Sequence, residues 1–118
     1  MPTYLYNTLI ANSLGGSYDC YGVLAANDHN LIRDGSCSPA ISSDPLLGSL
    51  ADHGGETQTH ALLRGSPAID AGNDDTCLAT AQRGVPRPQG AACDIGAFEK
   101  TASDEWDIFL PVILRLAH

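Results

Sequence analysis

Basic residues are scarce in this sequence. Lys100 is the only lysine, and lysine and arginine together number six against fourteen acidic residues, which gives a formal net charge of −8. Proteins that bind DNA or RNA neutralise phosphates with clusters of Lys and Arg. The composition therefore excludes nucleic acid as a favoured partner.

Long apolar segments are also missing. The most apolar stretch, residues 108–116, contains Pro111 and Arg115 and is far shorter than the about 20 apolar residues of a membrane-spanning helix. Residues 1–13 lack the basic and apolar segments of a signal peptide. We therefore expect no transmembrane segment, and we expect the chain to be the C-terminal piece of a longer exported protein.

Familiar catalytic and metal-binding motifs do not occur in the sequence. No serine stands in a G-x-S-x-G pattern, and the four histidines lack the spacing of a metalloprotease helix. The cysteines contain no C-x-x-C pair, so a zinc site would have to be assembled from distant residues. We expect no catalytic residue and no cofactor, with Ca²⁺ as the one weakly indicated exception.

The cysteines indicate disulfides. There are four, Cys20, Cys37, Cys77 and Cys93, with a separation of 17 between the first two and 16 between the last two. Four cysteines allow three pairings, and the sequential pairing closes the shortest loops. In the loop-entropy model each such bridge contributes about 3 kcal/mol. Disulfides are typical of an oxidising compartment, which predicts an extracellular or cell-surface location.

A degenerate repeat is present in the first half. TLIANS at residues 8–13 and NLIRDG at residues 30–35 align at an offset of 22, so that their Leu-Ile pairs coincide and Asn12 falls over Asp34. A looser copy, ALLRG at residues 61–65, is displaced by a further 31. One short apolar strand and one polar turn per 20 to 30 residues are typical of a solenoid, with the turn residues at a corner. Chance recurrence of three apolar pairs is the alternative.

The second half contains short apolar pieces between turn residues. THALL, SPAID and DIGAFE at residues 59–63, 66–70 and 94–99 have the length of strands, and DPLLGSLADHGG at residues 44–55 has the composition of a connection with one apolar stripe. Each piece needs neighbours to stack on, because it is too short to be stable alone. This predicts that the acid-rich stretch ending at Cys77 is the corner of a scaffold.

These motifs resemble a known group of proteins. DPLLGSLADHGGETQTHALLRGSPAIDAGNDDTC followed by QRGVPRPQGAACDIGAFE is similar to the C-terminal region of secreted, pectin-lyase-like right-handed parallel β-helix proteins of the polymorphic outer-membrane-protein-like or choice-of-anchor type. The similarity runs over residues 7–99. It implies an all-β fold, a right-handed parallel β-helix with few C-terminal coils and a loop-rich cap, in a secreted or cell-surface protein.

The resemblance also implies how the chain is organised. Residues 1–99 would form the terminal coils and the cap, and residues 100–118 a polar linker with a short apolar tail. Cys77 and Cys93 would lie on either side of one loop and form a disulfide. One departure is Ala81, where the group usually has an acidic residue, so any salt link from that acid to an arginine is missing here.

One set of oxygen-bearing side chains is a candidate cation site, because Ca²⁺ takes about six to eight oxygen ligands. The set is Asp70, Asn73, Asp74, Asp75 and Asp94. The spacing does not match an EF-hand loop. We favour the structural alternative, in which the stretch is a turn whose Asx side chains bind local backbone amides.

The arginines raise the question of an enzyme. In polysaccharide lyases a base removes a proton beside a carboxylate that Ca²⁺ or Arg polarises, and Arg64, Arg83 and Arg87 are the candidates here. We interpret Arg83 instead as a tie that binds carbonyls or an aspartate and fastens the last loop. The leading hypothesis is a non-catalytic module that stabilises the end of a solenoid and mediates adhesion, anchoring or assembly. The alternative is a fragment of a polysaccharide lyase or glycoside hydrolase.

An exposed apolar end predicts association. Leu5, Leu9 and Ile10 have the character of a core strand with no coil beneath it, and each exposed aliphatic side chain forgoes roughly 1.5–3 kcal/mol. We predict a homo-oligomer joined through residues 3–13, or pairing with upstream β-helix coils. A cell-envelope or polysaccharide partner is a further expectation. The apolar tail, which either packs on the domain or docks on a partner, supplies the alternative contact residues Ile108, Phe109 and Leu110.

Overall fold

The computed structural model describes residues 3–12 and 18–104, which form six short strands and no helix. The strands are β1 (Tyr4–Tyr6), β2 (Leu9–Ile10), β3 (Ala26–Asp28), β4 (Leu31–Ile32), β5 (Leu47–Ala51) and β6 (Thr59–Leu62). They pair in three two-stranded sheets. The all-β prediction is confirmed for this part of the chain, in which no helix suited to crossing a membrane is found.

The first four strands form two parallel ladders with the same offset. β1 pairs with β3 and β2 pairs with β4, so that Leu9 lies opposite Leu31 and Ile10 opposite Ile32. The paired residues are 22 positions apart, which confirms the alignment of the two sequence copies. Like residues therefore lie beside like residues, and the two Leu side chains both pack into the core.

A bend between the strands is repeated with the same offset. Asn7 lies between β1 and β2 with a φ of 52°, and His29 lies between β3 and β4 with a φ of 56°. Positive φ is uncommon outside glycine, and Asn and His tolerate it better than most residues. The corner predicted at Asn12 and Asp34 follows β2 and β4. Asn12 has a φ of 58°, whereas the left-handed residue after β4 is Gly35, with a φ of 78°.

Asn30 joins the two bends. Its side chain is fully buried, and its Oδ1 accepts from the Thr8 amide at 2.9 Å. Its Nδ2 donates to the Leu5 carbonyl at 3.0 Å and to Oδ1 of Asn27 at 2.8 Å. Backbone groups at a bend have no ladder partner, and leaving them unpaired in the interior is costly. The Asn30 side chain thus binds backbone groups on both sides of the bend between β1 and β2.

The two edges of this parallel layer differ. On the β4 side, Ile41 forms an isolated parallel bridge with Leu31, and the Ile32 amide donates to the Ile41 carbonyl at 3.0 Å. On the other side, β1 and β2 have no second strand neighbour among residues 3–12 and 18–104. Within the described residues, Ile41 therefore borders β4 at one edge of the layer, and no strand lies beside β1 and β2 at the other edge.

The third sequence copy does not extend the parallel layer. It overlaps β6, which pairs antiparallel with β5 and places Leu47 opposite Leu62. The chain reverses between these strands at Gly54 and Gly55, whose φ values of 93° and 84° suit glycine and strain other residues. The interpretation of residues 44–55 as a connection is therefore wrong, because they contain the first strand of a hairpin.

Two further predicted strands are turns. In SPAID the Ile69 amide donates to the Ser66 carbonyl at 3.2 Å, which closes a turn. In DIGAFE the Ile95 amide donates to the Ala68 carbonyl at 2.9 Å, whereas the next amide, that of Gly96, donates to the bend between β1 and β2. Successive amides bond to different segments, so these stretches form no ladder.

The core lies between the parallel layer, the hairpin and the loops that follow it. Its buried apolar side chains are Leu31, Ala61, Leu62, Ala68, Ile95 and Phe98. Half of them come from residues beyond β6, so the irregular loops supply a wall of the core. This wall also explains why the turns after β6 are well defined without a ladder, since their apolar side chains are fixed by burial.

The predicted association surface is only partly exposed. Leu5, Leu9 and Ile10 are half-buried, and Leu9 packs against the core. Gly96 approaches Leu9 so closely that a Cβ built on it would lie 3.0 Å from the Leu9 Cβ. The second predicted contact, the tail with Ile108, Phe109 and Leu110, lies outside the described residues.

Candidate functional site

Arg83 is the centre of a buried ionic cluster. Its Nη1 donates to the His53 carbonyl at 2.9 Å, and its Nη2 donates to the Glu99 carbonyl at 3.0 Å. Both nitrogens also bind the Asp104 carboxylate. The guanidinium lies 4.2 Å from the centre of the Phe98 ring, which is a cation–π distance. Only 8% of the Arg83 side chain and 5% of that of Asp104 is exposed.

This cluster confirms the interpretation of Arg83 as a tie for the last loop. Burial acts to raise the pKa of Asp104, but the hydrogen bonds and charge of Arg83, together with the hydrogen bonds from Thr101, outweigh burial and hold that pKa below its ordinary value. Asp104 is therefore a charged partner. Because it belongs to the segment that the sequence assigned to a linker, ordered contacts extend past the boundary predicted at Glu99.

Arg87 forms a second tie beside the first. Its Nη1 donates to the Asp94 carbonyl at 2.8 Å, and its Nη2 donates to the Gly96 carbonyl at 2.6 Å. It also forms an ion pair with the fully buried Glu99, at 3.3 Å. Glu99 in turn accepts from the backbone amides of Asp94 and Gln89 at 3.0 and 3.1 Å. The two arginines use their terminal nitrogens to fix loop backbone.

Asp94 is a buried carboxylate that binds two backbone amides. Its Oδ1 accepts from the Asp70 amide at 2.8 Å, and its Oδ2 accepts from the Lys100 amide at 2.7 Å. Burial raises its pKa to about 6, and the nearby carboxylates of Glu99 and Asp70 act in the same direction. The two amide hydrogen bonds oppose the rise without cancelling it.

The oxygen ligands proposed for Ca²⁺ are distributed over different contacts. Asp94 holds the Asp70 amide, Asp74 accepts from the Cys93 amide at 2.8 Å, and the Asp75 amide donates to Oδ1 of Asn73 at 2.9 Å. Only the bond within residues 73–75 is of the local Asx type that the structural alternative predicts, whereas Asp94 and Asp74 bind amides 24 and 19 positions away. The structure brings Asp70 and Asp94 together, and it places Asp74 beside two cysteines instead.

Asn73 organises the acid-rich turn. Its amide donates to Oδ1 of Asn7 at 2.7 Å, and its Nδ2 donates to Oδ2 of Asp28 at 3.0 Å. Asn7 reciprocates by donating to Oγ1 of Thr76 at 3.0 Å. The turn is thus fastened to the bend residue Asn7, which follows β1, and to Asp28 at the end of β3. The hydrogen bond from Asn73, together with His29, lowers the pKa of Asp28.

The four cysteines are in two different states. Cys20 and Cys37 form a disulfide, with their Cα atoms 5.8 Å apart, as the sequential pairing predicts. Cys77 and Cys93 are free thiols, so the second predicted bridge is not formed in this structure. Burial and the neighbouring Cys77 and Asp74 raise the pKa of Cys93.

Asp74, Cys77 and Cys93 are nevertheless close together. One carboxylate oxygen and the two sulfur atoms lie within 4.8 Å of one another. Asp74 is exposed, Cys77 is half-buried and Cys93 is buried. Among the residues that the structure describes, this is the group of His, Cys, Asp or Glu side chains whose geometry suits a metal ion.

A concavity next to this group has a volume of about 390 Å³. Tyr6, Asn7, Thr76, Cys77 and Arg87 are among its lining residues. A second concavity of about 240 Å³ lies over the core and is lined in part by Leu9, His60 and Phe98. Neither contains Arg64, which is exposed. Arg87 lines the first concavity and Arg83 lines neither, so the three arginines proposed for lyase chemistry do not converge on either concavity.

Sequence reasoning missed several of the residues that matter here. It did not single out the bend residue Asn7, the buried Asn30 that follows the second bend, or the buried partners Glu99 and Asp104. A signal existed for Glu99, because an acid at the end of an otherwise apolar DIGAFE stretch is an exception that calls for a partner. For Asn7 and Asn30 no local pattern distinguishes them from ordinary turn asparagines.

The chain matches no protein-family model, no curated protein and no solved structure. Its resemblance to secreted β-helix proteins therefore rests on its sequence motifs.

Proposed function

We propose that the chain is a non-catalytic C-terminal module of a secreted or cell-surface right-handed parallel β-helix protein. In this role it closes the end of the solenoid and takes part in adhesion, anchoring or assembly. The observation that carries the proposal is the pair of parallel ladders at an offset of 22, because strands, bend and offset are copied together. Copying of a whole strand–bend–strand unit is how coils of a solenoid stack.

The open edge of β1 supports a coil-accepting role. The Ala26 amide donates to the Thr3 carbonyl at 3.4 Å, and the Asn7 amide donates to the Asp28 carbonyl at 3.1 Å. Backbone groups alternate in direction along a parallel strand, so those of Tyr4 point away from β3. A further parallel strand added there would continue the ladder, whereas at the opposite edge of the layer Ile41 already lies beside β4.

The loops after β6 support the capping role. Arg83, Arg87, Asp94 and Glu99 bind backbone groups of several separate segments and hold irregular chain in one conformation. A cap has to satisfy its own backbone without a ladder, and these side chains do so. The same use of Arg83 and Arg87 favours the scaffold over the alternative of a lyase or hydrolase fragment.

Sedimentation velocity tests the open edge. We expect the purified chain to associate as its concentration increases, by edge pairing with a second copy in place of an upstream coil. Tyr4→Pro should abolish association, because proline removes an amide that points outward and leaves the β1–β3 bonds intact. Tyr4→Ala is the matched control, since it shortens the same exposed side chain and keeps the amide. A chain that stays monomeric at all concentrations, or equal association of the proline variant, contradicts the proposal.

Turnover assays separate the module from the enzyme. The chain should release no product from polygalacturonate, alginate or glycosaminoglycans in the presence of Ca²⁺. Depolymerisation that the exposed-site variant Asp70→Ala abolishes would favour the polysaccharide lyase or hydrolase fragment instead. Circular dichroism of this variant establishes that its fold is retained.

A further inference from the structure

We propose that Asp74, Cys77 and Cys93 form a binding site for a soft divalent cation of the Zn²⁺ class. This site goes beyond the capping role, and it differs from the Ca²⁺ site considered for the acid-rich stretch, since two of its three ligands are sulfur. Thiolates select Zn²⁺ and similar ions, whereas Ca²⁺ takes oxygen ligands.

The spacing of the ligand atoms fits a tetrahedral ion. The two sulfurs and one carboxylate oxygen lie within 4.8 Å of one another. Around Zn²⁺, with Zn–S near 2.3 Å and Zn–O near 2.0 Å, ligand atoms are separated by roughly 3.3 to 3.8 Å. The approach required is at most about 1 Å, which side-chain rotation of the exposed Asp74 and the half-buried Cys77 can supply.

Hydrogen bonds outside the group hold the ligands in place. The Cys93 amide donates to Oδ1 of Asp74 at 2.8 Å, which orients the carboxylate beside the Cys93 sulfur. The Thr76 and Cys77 amides both donate to the Asn73 carbonyl, at 3.1 and 3.0 Å, so the turn carrying Cys77 is closed. Partners of this kind around the ligands are what a metal site needs in order to keep its geometry.

An ion can reach the group without unfolding of the chain. Cys77 is among the residues that line the 390 Å³ concavity, together with Thr76. Three protein ligands leave one tetrahedral position for water or another small ligand from solvent. Bound there, the ion would join the acid-rich turn to the segment before DIGAFE, as a disulfide between the same cysteines would. Zinc binding by these cysteines and a Cys77–Cys93 disulfide exclude each other, which makes the proposal testable.

The first measurement is the metal and thiol content of the full chain. Protein prepared with zinc sulfate in every buffer and no reductant should contain one zinc per chain by mass spectrometry of the elements. Two thiols per chain should become reactive toward a disulfide reagent after denaturation with a chelator. Replacement of zinc by Co²⁺ should give the thiolate charge-transfer and tetrahedral d–d absorption bands.

Variants locate the site. Cys77→Ser and Asp74→Asn should weaken zinc binding by more than the roughly 10- to 100-fold that changes outside the ligand shell cost. Asp75→Asn is the matched control, because it removes an exposed neighbouring carboxylate that is not in the group, and it should bind zinc as the parent chain does. Circular dichroism checks that each variant is folded.

Three results would overturn the proposal. The first is a Cys77–Cys93 disulfide in the peptide map of the zinc-supplemented protein. The second is zinc bound equally well by Cys77→Ser, which would place the ion on histidines or other carboxylates. The third is cobalt binding without thiolate bands. None of these depends on association through β1, so failure of this proposal and failure of the proposed function are distinguishable.

Discussion

At the residue scale, buried polar side chains do much of what regular structure does in other proteins. Asp94 and Glu99 are both at most 1% exposed, and Arg83 and Arg87 are nearly as buried. Removing charged groups from water is unfavourable unless each is paired and hydrogen-bonded. Here the partners are mainly backbone amides and carbonyls, so these side chains fix the path of loops that have no ladder.

Asp94 makes stability depend on pH. Its pKa is raised from 3.8 to about 6 because burial disfavours the charged form. A group whose folded pKa is raised contributes stability that is fully present below its unfolded pKa and is lost as pH rises through the folded pKa. We expect this residue to lower the free energy of unfolding by up to about 3 kcal/mol between about pH 4 and pH 6.5. Urea unfolding across this range measures it.

Asp94→Asn isolates that contribution. The variant loses one of two amide hydrogen bonds and should be less stable than the parent chain throughout. The difference between the two should shrink as pH rises, because the parent alone loses stability by ionising this group. Asp75→Asn, at an exposed position, should keep the parental slope. An unchanged slope in Asp94→Asn would assign the pH dependence to other residues.

Among the loop residues, Arg83 should be the one whose substitution lowers the free energy of unfolding most. Arg83→Ala leaves the buried Asp104 carboxylate without its partner, and loss of one member of a buried ion pair costs about 3–5 kcal/mol. Arg64→Ala, at an exposed arginine, should change the free energy of unfolding by no more than about 0.5 kcal/mol. Equal effects of the two changes in urea unfolding would show that the Arg83 cluster does not stabilise the fold.

At the element scale, the paired strands are held by their shared bend as much as by their short ladders. Strands of two or three residues form few ladder bonds, so the bend must be satisfied by side chains. Asn30 does this for Thr8 and Leu5, and Asn7 fastens the same bend to the acid-rich turn. The stack therefore depends on side chains outside the apolar pattern.

Asn30→Ala tests this dependence. It leaves the Thr8 amide and the Leu5 carbonyl unpaired in the interior, which should lower the free energy of unfolding by about 2–4 kcal/mol. Amide exchange at Thr8 should also become faster. The control is Asn12→Gly, which removes the side chain of the same residue type at an exposed bend, keeps the φ of 58° accessible and should have little effect. Similar losses in both variants would contradict the role given to Asn30.

The elements that could be predicted from the sequence are those that repeat. The offset of 22 was visible because parallel stacking places Leu9 beside Leu31, and like residues then recur in the sequence. β5 was missed because LGSLA has no strict alternation and includes a glycine, so its strand character comes from pairing with β6. The loop ties were predicted only for Arg83, since positions that bind distant backbone leave no periodic signal.

At the scale of the whole molecule, a modest core makes covalent links important. The Cys20–Cys37 bridge joins the segment between β2 and β3 to the segment after β4, so the loop that it closes contains the second strand pair. The double variant Cys20→Ser, Cys37→Ser should lose about 3 kcal/mol of stability, since the unfolded chain is no longer restricted. Cys77→Ser breaks no disulfide and should lose clearly less stability. Thermal unfolding of the single and the double variant in a buffer with a chelator measures the difference. Equal losses would show that the bridge adds nothing to the fold.

The pair formed by Arg83 and Asp104 has a mechanical consequence. A pulling force applied to the chain beyond residue 104 enters the described fold at Asp104, whose carboxylate also accepts from the Thr101 amide at 2.8 Å. Arg83 passes that load to the carbonyls of His53 and Glu99. The force is thus shared between the hairpin loop and the last loop before any strand is pulled from its neighbour. Rupture would therefore begin at the ion pair between Arg83 and Asp104.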